Sequence, residues 1–417
     1  MRDNRPGFWI ILVTVFLNFL GYGILIPFLP FYAEKFGGGG FSIGLLFAAY
    51  ALSQFIFTPF VGRLSDRIGR RRIIIFSLLG EALSLLALVF AFAYWWLLLV
   101  RIFGGIFGSI TGVAQAYLSD ITPAEKKTKA MGYFGAAFGA GFIAGPALGS
   151  YFSGATLNFP GCLLIEGYRF CLTDYVPQSD FLAPFLVAGV ISFIASVIAY
   201  FFLKESLTAE SLVAEKKHET FFQGFSYVFR HKLILFWIVF YFIGIFNFSN
   251  LETIFAIFTK FKFGLSPKEI GYFFVYVGLL AAFVQIAGIS FLVRRLKDIH
   301  ILLIGGFLSA LSYVILPFAP NVPYYFFFLA IFALGVGLSA PAILGIISKL
   351  SHREDYGVVL GVTQSSARLA QVLGSFWAGF SYQYISFASP MLSAGIIMFL
   401  AFSILFVLWL KKYELGA

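Results

Sequence analysis

Residues Gly62–Arg72 read GRLSDRIGRRR, five arginines and one aspartate in eleven residues. The chain around them is 60% hydrophobic and only 12% charged. Apolar runs long enough to cross a bilayer flank the stretch on both sides. A basic turn between two spanning helices has to sit in water, so it marks a membrane face and helps to set which side is inside.

The whole composition agrees with that reading. The mean hydropathy is +0.92, and soluble domains are about 45–50% apolar and about 25% charged. A spanning helix takes roughly 20 mostly apolar residues, so 417 residues hold about a dozen with short connections. The alternating pattern of an outer-membrane barrel is absent. The expected fold is an all-α integral membrane protein with twelve helices, at 8–32, 42–61, 73–93, 96–118, 130–153, 181–203, 233–259, 269–292, 299–318, 323–347, 357–384 and 389–410. The first apolar run is too long for a cleaved signal core and reads as span 1.

Residues 204–232 carry mixed charge and divide the spans six and six. This predicts an N-terminal bundle over 1–203, a cytoplasmic linker over 204–232 and a C-terminal bundle over 233–417. Within the linker, EKKHETFFQGFSYVFRHK (215–232) mixes charges with aromatics and predicts a helix on the membrane surface. If the N-terminus is cytoplasmic, 22 of the 29 Lys and Arg residues lie in cytoplasmic segments, five in outer segments and two inside spans. Both termini and the linker are then inside. The formal charge of +10 follows from topology, and nucleic acid is not an expected partner.

A shift of 229 residues places Gly108 on Gly337, Ser119 on Ser348, Gly132 on Gly361 and Gly145 on Gly374. The two bundles therefore read as a parallel repeat, an arrangement common in secondary transporters. A loop at 155–180 has no counterpart in the second half. It holds both cysteines, Cys162 and Cys171, nine apart and on the outer face in this topology. A disulfide is expected in an oxidising compartment, with two unpaired thiols as the alternative. No metal-ligand spacing is present, and no cofactor is expected.

GRLSDRIGRRR between spans 2 and 3 resembles the signature loop of the major facilitator superfamily. Span 4 opens LVRIFGGIFGSITG, with Arg101 where that family has an arginine. Span 5 contains GFIAGPALG (Gly141–Gly149), which resembles the antiporter motif of drug–proton antiporters. Span 1 reads GYGILIPFLPFY, and NLETIFAIF and GVTQSSARLAQVLG in the second half are also similar to that subgroup. The resemblance runs the length of the chain and leans towards the tetracycline-efflux branch. It departs at Asn18 and Ser84, where those exporters carry aspartates; Glu81 lies one turn before Ser84. Substrate and proton sites therefore do not carry over.

The resemblance implies a latch of Gly62, Asp66, Arg67, Gly69, Arg70 and Asp120 against the start of span 11 at Gly357. It would hold the halves together when the cytoplasmic side is shut. Asp66 and Arg70 are four apart and share a face if the helix persists between them, and a carboxylate is favoured at a helix N-terminus. A loop that only sets topology is the alternative.

Charges inside the membrane are costly and point to function. Glu81, Arg101, Glu252 and Arg368 are such charges, with Glu81 about 12 Å and Arg368 about 16 Å from the inner ends of their spans at a helical rise of about 1.5 Å per residue. Gln364, Arg368, Gln371 and Ser375 form one stripe on span 11, and Arg101, Gly105, Gly108, Gly112 and Gln115 one on span 4. Such stripes face protein or water. Glu252 and Glu81 are candidate proton carriers, Glu252 preferred, and Arg101 is grouped with them because a nearby arginine lowers the pKa that burial raises. Asn18, Tyr22, Gln54, Gln115, Asn247, Gln364, Arg368 and Gln371 are candidate cavity residues. Span 7 is expected to bend or break near Asn247 and Asn250. Gly141, Gly145 and Gly149, with Pro146, suggest close packing of span 5 against the other half.

The expected function is transport by alternating access, coupled to protons and exporting an amphipathic small molecule, in a bacterial cytoplasmic membrane and as a monomer. An organic anion, including a carboxylate-rich metabolite or siderophore, is the alternative substrate because of Arg368. A transport-inactive sensor or scaffold is the alternative of another class. An enzyme is not expected: no span carries a Ser/His, HExxH or paired-Asp arrangement.

Overall fold

Helices follow the apolar runs closely, because backbone groups in hydrocarbon have to be satisfied within the segment. A computed structural model describes residues 5–123, 127–153, 162–165, 168–171, 182–207, 221–285, 292, 295–351 and 356–411. The first half comprises α1 (Arg5–Leu25), α2 (Leu29–Lys35), α3 (Gly40–Ile68), α4 (Arg70–Ala87), α5 (Tyr94–Phe107), α6 (Ile110–Ile121), α7 (Lys127–Phe152) and α8 (Leu182–Phe202). The second comprises α9 (Phe221–Arg230), α10 (Lys232–Phe263), α11 (Pro267–Phe283), α12 (Asp298–Ile315), α13 (Val322–Leu350), α14 (Tyr356–Tyr384) and α15 (Ser389–Leu410).

Among the described residues, ten helical segments are long and apolar enough to cross a membrane. The other two expected spans are present as α11 and α14. The first is described as a helix for 17 residues. The second has 29 residues, but Gln364, Arg368 and Gln371 lower its apolarity. Span 1 is α1 continued by α2, and span 4 is α5 continued by α6.

The repeat seen in the sequence is visible in the helix boundaries. α4 starts at Arg70 and α12 at Asp298, 228 residues apart. Each ends in a 3₁₀ turn, Leu88–Phe90 and Leu316–Phe318, again 228 apart. α8 and α15 break the offset, because the cysteine loop lengthens only the first half. Cys162–Ile165 and Tyr168–Cys171, β1 and β2 of that loop, pair antiparallel with Cys162 opposite Cys171.

The chain forms two compact units whose limits differ from the expected bundles. One comprises Met1–Gly39, Leu52–Lys216 and Leu265–Val275; the other comprises Gly40–Ala51, Lys217–Gly264 and Tyr276–Ala417. The core of the first unit includes Ile11, Ile74, Leu78, Val113, Tyr117 and Ala195. That of the second includes Trp237, Leu302, Ile346, Val359 and Leu405. Each unit takes the first turns of one helix from the opposite half of the sequence. In the second unit, the start of α3 lies against α14: a Cβ on Gly44 would come within 2.6 Å of the Ser375 carbonyl and 2.8 Å of Gly379 Cα. In the first, Gly271 of α11 lies against Ser150 and the Pro146 carbonyl of α7. Gly44 and Gly271 are 227 residues apart, and so occupy equivalent places in the repeat.

Two expectations change. The stripe Gly141, Gly145 and Gly149 packs on α1 of its own half, where a Cβ would meet the backbone of Phe16, Leu20, Gly23 and Ile24. Small residues let two backbones approach, and α1 supplies the matching Gly23. The Pro146 carbonyl and Ser150 of α7 do receive a helix from the second half of the sequence, at Gly271 of α11. In addition, α10 runs unbroken from Lys232 to Phe263 through Asn247 and Asn250. Neither asparagine disturbs the backbone, because neither competes for a backbone partner.

The linker helix, α9, is docked by Val228, which is buried in the second core beside Tyr227 and Leu233. Many aromatics of the spans are exposed, among them Phe76, Phe103, Phe201 and Phe399. This is the distribution expected of side chains facing lipid.

Candidate functional site

The loop that decided the fold is a sharp turn with a charge cluster on it. α3 stops at Ile68 because Gly69 takes φ +105°, a conformation few residues adopt without strain. α4 restarts at once, so Asp66 on the last turn of α3 and Arg70 on the first turn of α4 come together. Arg70 Nη2 lies 3.2 Å from Asp66 Oδ1, and its Nε forms an ion pair with Asp120 Oδ2 at the end of α6. The Arg70 side chain is only 10% exposed. Its planar fork serves two carboxylates at once, a geometry that a lysine cannot reproduce. Asp66, Arg70 and Asp120 are thus brought together as expected. Arg67 points outward on the exposed side of the turn, Gly62 has open space around it, and Gly357 lies in the first turn of α14.

Two further members of the cluster come from far along the chain. Glu205, just beyond α8, accepts the backbone N–H groups of Arg70 (3.0 Å) and Arg71 (3.2 Å). Ser206 Oγ donates to Asp120 Oδ2 at 3.2 Å. Arg71 reaches the Tyr200 carbonyl and sits over its ring at 5.8 Å. The sequence signal for Glu205 was slight: one acid at a span end, on the same face as three consecutive arginines. At the equivalent place in the second half, Asp298 starts α12 and pairs with Lys349 near the end of α13. The repeat puts Asp298 on Arg70 and Lys349 on Asp120, so the second pair has its charges reversed.

Inside the spans, Glu81, Arg101 and Glu252 are buried and Arg368 is half-buried. Glu81 is 2% exposed and Glu252 6%. Arg101 is buried with its guanidinium 5.7 Å from the Tyr22 ring centre, a cation–π contact between α5 and α1. Asn18 is also buried on α1, near Thr14 and Thr111 around a small cavity. Gln54 donates to the Gly108 carbonyl at 3.0 Å, satisfying a backbone group where α5 gives way to α6. Gln115 is half-buried on α6.

In the second unit, Arg368 Nη1 donates to Gln371 Oε1 at 3.1 Å. Ser249 of α10 bonds the Gln371 carbonyl and Ser375 Oγ, so one edge of the α14 stripe is packed on α10. Gln364 is half-buried on α14. Asn247 is fully buried and donates to Met398 Sδ of α15, so it serves helix packing here. Glu81 and Arg101 belong to one unit and Glu252 and Arg368 to the other.

The family model described as Major Facilitator Superfamily matches residues 11–307 and 241–415. The chain is 29% identical to Multidrug resistance protein 2 of Bacillus subtilis, over all of this chain and 98% of that one. It is 30% identical to the class E tetracycline resistance protein of Escherichia coli, over 89% of this chain and 86% of the other. It is 26% identical to the quinolone resistance protein NorA of Staphylococcus aureus, over 89% and 88%. Among solved structures, an inward-facing bacterial homologue of the human lysosomal transporter Spinster superposes with a TM-score of 0.78 over 98% of this chain and 97% of that one, at 14% identity. The human organic anion transporter MFSD10 superposes at 0.70 over 97% and 100%, at 20% identity. With the basic loop, the repeat and the fold all in agreement, this chain belongs to the Major Facilitator Superfamily and is a multi-pass membrane transporter, not an enzyme.

Proposed function

We propose that this transporter exports an amphipathic small molecule in exchange for protons, by alternating access. The observation that carries the coupling is the burial of Glu81 and Glu252 inside apolar helices. An ionised carboxylate is costly there, so an acid in that position takes up and releases a proton as water gains and loses access to it. Full-length similarity to multidrug and tetracycline resistance proteins supports export of small amphipathic compounds. Asn18, Tyr22, Gln54, Gln115, Gln364, Arg368 and Gln371 are the polar groups available to a substrate, and Asn247 supports them by fixing α10 on α15. Asp66, Arg70 and Asp120 form the charge cluster of the latch that closes the cytoplasmic side. Both termini face the cytoplasm of a bacterial cell, and the protein works as a monomer.

Purified protein in proteoliposomes, under an imposed pH gradient, tests the proposal with a fluorescent lipophilic cation. Accumulation driven by the gradient and accompanied by proton flux is expected. A second reading, export of an organic anion, is favoured by Arg368 within a span, and a neighbour in fold is described as an organic anion transporter. Labelled carboxylates in the same assay decide between them. Movement of neither probe, with no proton flux, leaves the transport-inactive scaffold.

A further inference from the structure

α4 begins under unfavourable electrostatics. Its first turn holds Arg70, Arg71 and Arg72 and no acid, at the end where the helix dipole is already positive. Gly69, in the N-cap place, has no side chain to accept the free N–H groups. Glu205 remedies both defects from 135 residues away: one carboxylate oxygen takes the Arg70 N–H and the other the Arg71 N–H. Gly69 makes room for it, since a Cβ there would collide with Glu205 Oε2. The same carboxylate accepts the Ser206 N–H at 3.0 Å, so the chain leaving α8 is folded around it. Ser206 then donates to Asp120, the acid that pairs with Arg70. Tyr117 Oη adds a bond to the Lys204 carbonyl at 2.7 Å, holding the same segment to α6.

We infer that Glu205 is a positioning residue of the latch. It caps α4 in trans and so holds the Arg70 guanidinium on Asp66 and Asp120. Glu205 and Ser206, at the exit of α8, are thereby tied to the latch. The inference rests on the latch reading above, but not on which substrate is carried.

The test uses full-length protein in lipid vesicles, with Cys162 and Cys171 replaced by Ser and a reporter cysteine at Gly112, an exposed position on α6. Glu205→Gln keeps the volume and removes the charge; Glu205→Asp keeps the charge on a shorter arm. In Glu205→Gln, amide exchange over residues 66–76 should quicken at least tenfold. Maleimide labelling of the reporter from the cytoplasmic side should quicken at least threefold. Maximal transport rate should fall at least fivefold with KM changed less than twofold, and Glu205→Asp should recover at least half the rate. Unchanged exchange overturns the cap. Faster exchange with labelling and rate unchanged overturns the positioning role and leaves a cap that matters only for local order. If wild-type protein carries no probe, the export reading fails, while exchange and labelling still decide on Glu205.

Discussion

Arg70 shows how much one side chain can gather. Its guanidinium meets Asp66 from its own turn and Asp120 from α6, while its backbone N–H meets Glu205. Charge-assisted pairs of this kind are stronger than neutral hydrogen bonds, and Arg70 is nearly buried, so water screens them less than on an open surface. Asp66→Asn should therefore lower the transport rate at least fivefold while leaving membrane insertion and yield unchanged, because Arg70 keeps Asp120 as partner. Rate measured against protein quantity in vesicles checks this; wild-type rate would mean that the loop only sets topology. The sequence made Asp66 and Arg70 legible as neighbours by their four-residue spacing, but the contact is made across the break at Gly69 and not along one continuous helix. Glu205 was not legible, because no local spacing links residues 135 apart, and only the packing of α8 beside α4 brings them together.

At the scale of elements, α1 and α7 approach each other backbone to backbone. A Cβ on Gly145 would lie 2.7 Å from Gly23 backbone atoms and the Leu20 carbonyl. Backbone cannot swing aside as a side chain can, so Gly145→Val has to separate the helices. Overpacking of this kind costs about 1–3 kcal/mol, and a lower unfolding temperature in detergent is expected. Gly139→Ala on the same helix is the control, since nothing lies within 4 Å of its Cβ position, and should leave that temperature unchanged or higher. Spacing by four announced a close contact but not its partner; the matching Gly23 was visible only once α1 and α7 were side by side. The hairpin of β1 and β2 is a second element-scale case. Directly opposed residues of an antiparallel pair have Cα atoms about 4.5–5.5 Å apart, within the range that a disulfide spans. Cys162 and Cys171 are such a pair, and we expect them to be joined. Labelling of thiols in native membranes should require reductant; two reactive thiols without it would refute the bridge.

For the whole molecule, the acids and arginines deep in the spans are divided between the units, Glu81 and Arg101 in one and Glu252 and Arg368 in the other. If either acid carries the coupling proton, replacing it with Gln should abolish accumulation driven by a pH gradient and spare exchange of substrate across vesicles at equal pH. Glu81→Gln and Glu252→Gln are to be compared, and full gradient-driven transport in both would remove these acids from the mechanism. The exchange of helix starts between halves is also a property at this scale. Gly44 on α14 and Gly271 on α7 occupy equivalent places in the repeat, so the same small-residue contact has been used twice.

The sequence by itself determined the membrane class, the span positions, the two-fold repeat and the residues of the basic loop. Those properties depend on local hydropathy, on charge placement and on spacing within one helix or one turn, all of which can be read along the chain. Tertiary structure decided what the spans touch. It turned the glycine stripe of α7 towards α1, kept α10 continuous where a bend or break was expected, packed Asn247 against Met398 of α15, and added Glu205 and Ser206 to the cluster at Arg70. In a bilayer, lipid tails are as apolar as a helix face, so hydrophobicity inserts a helix without choosing its neighbour. Shape and a few polar contacts make that choice, and both exist only once the helices are packed.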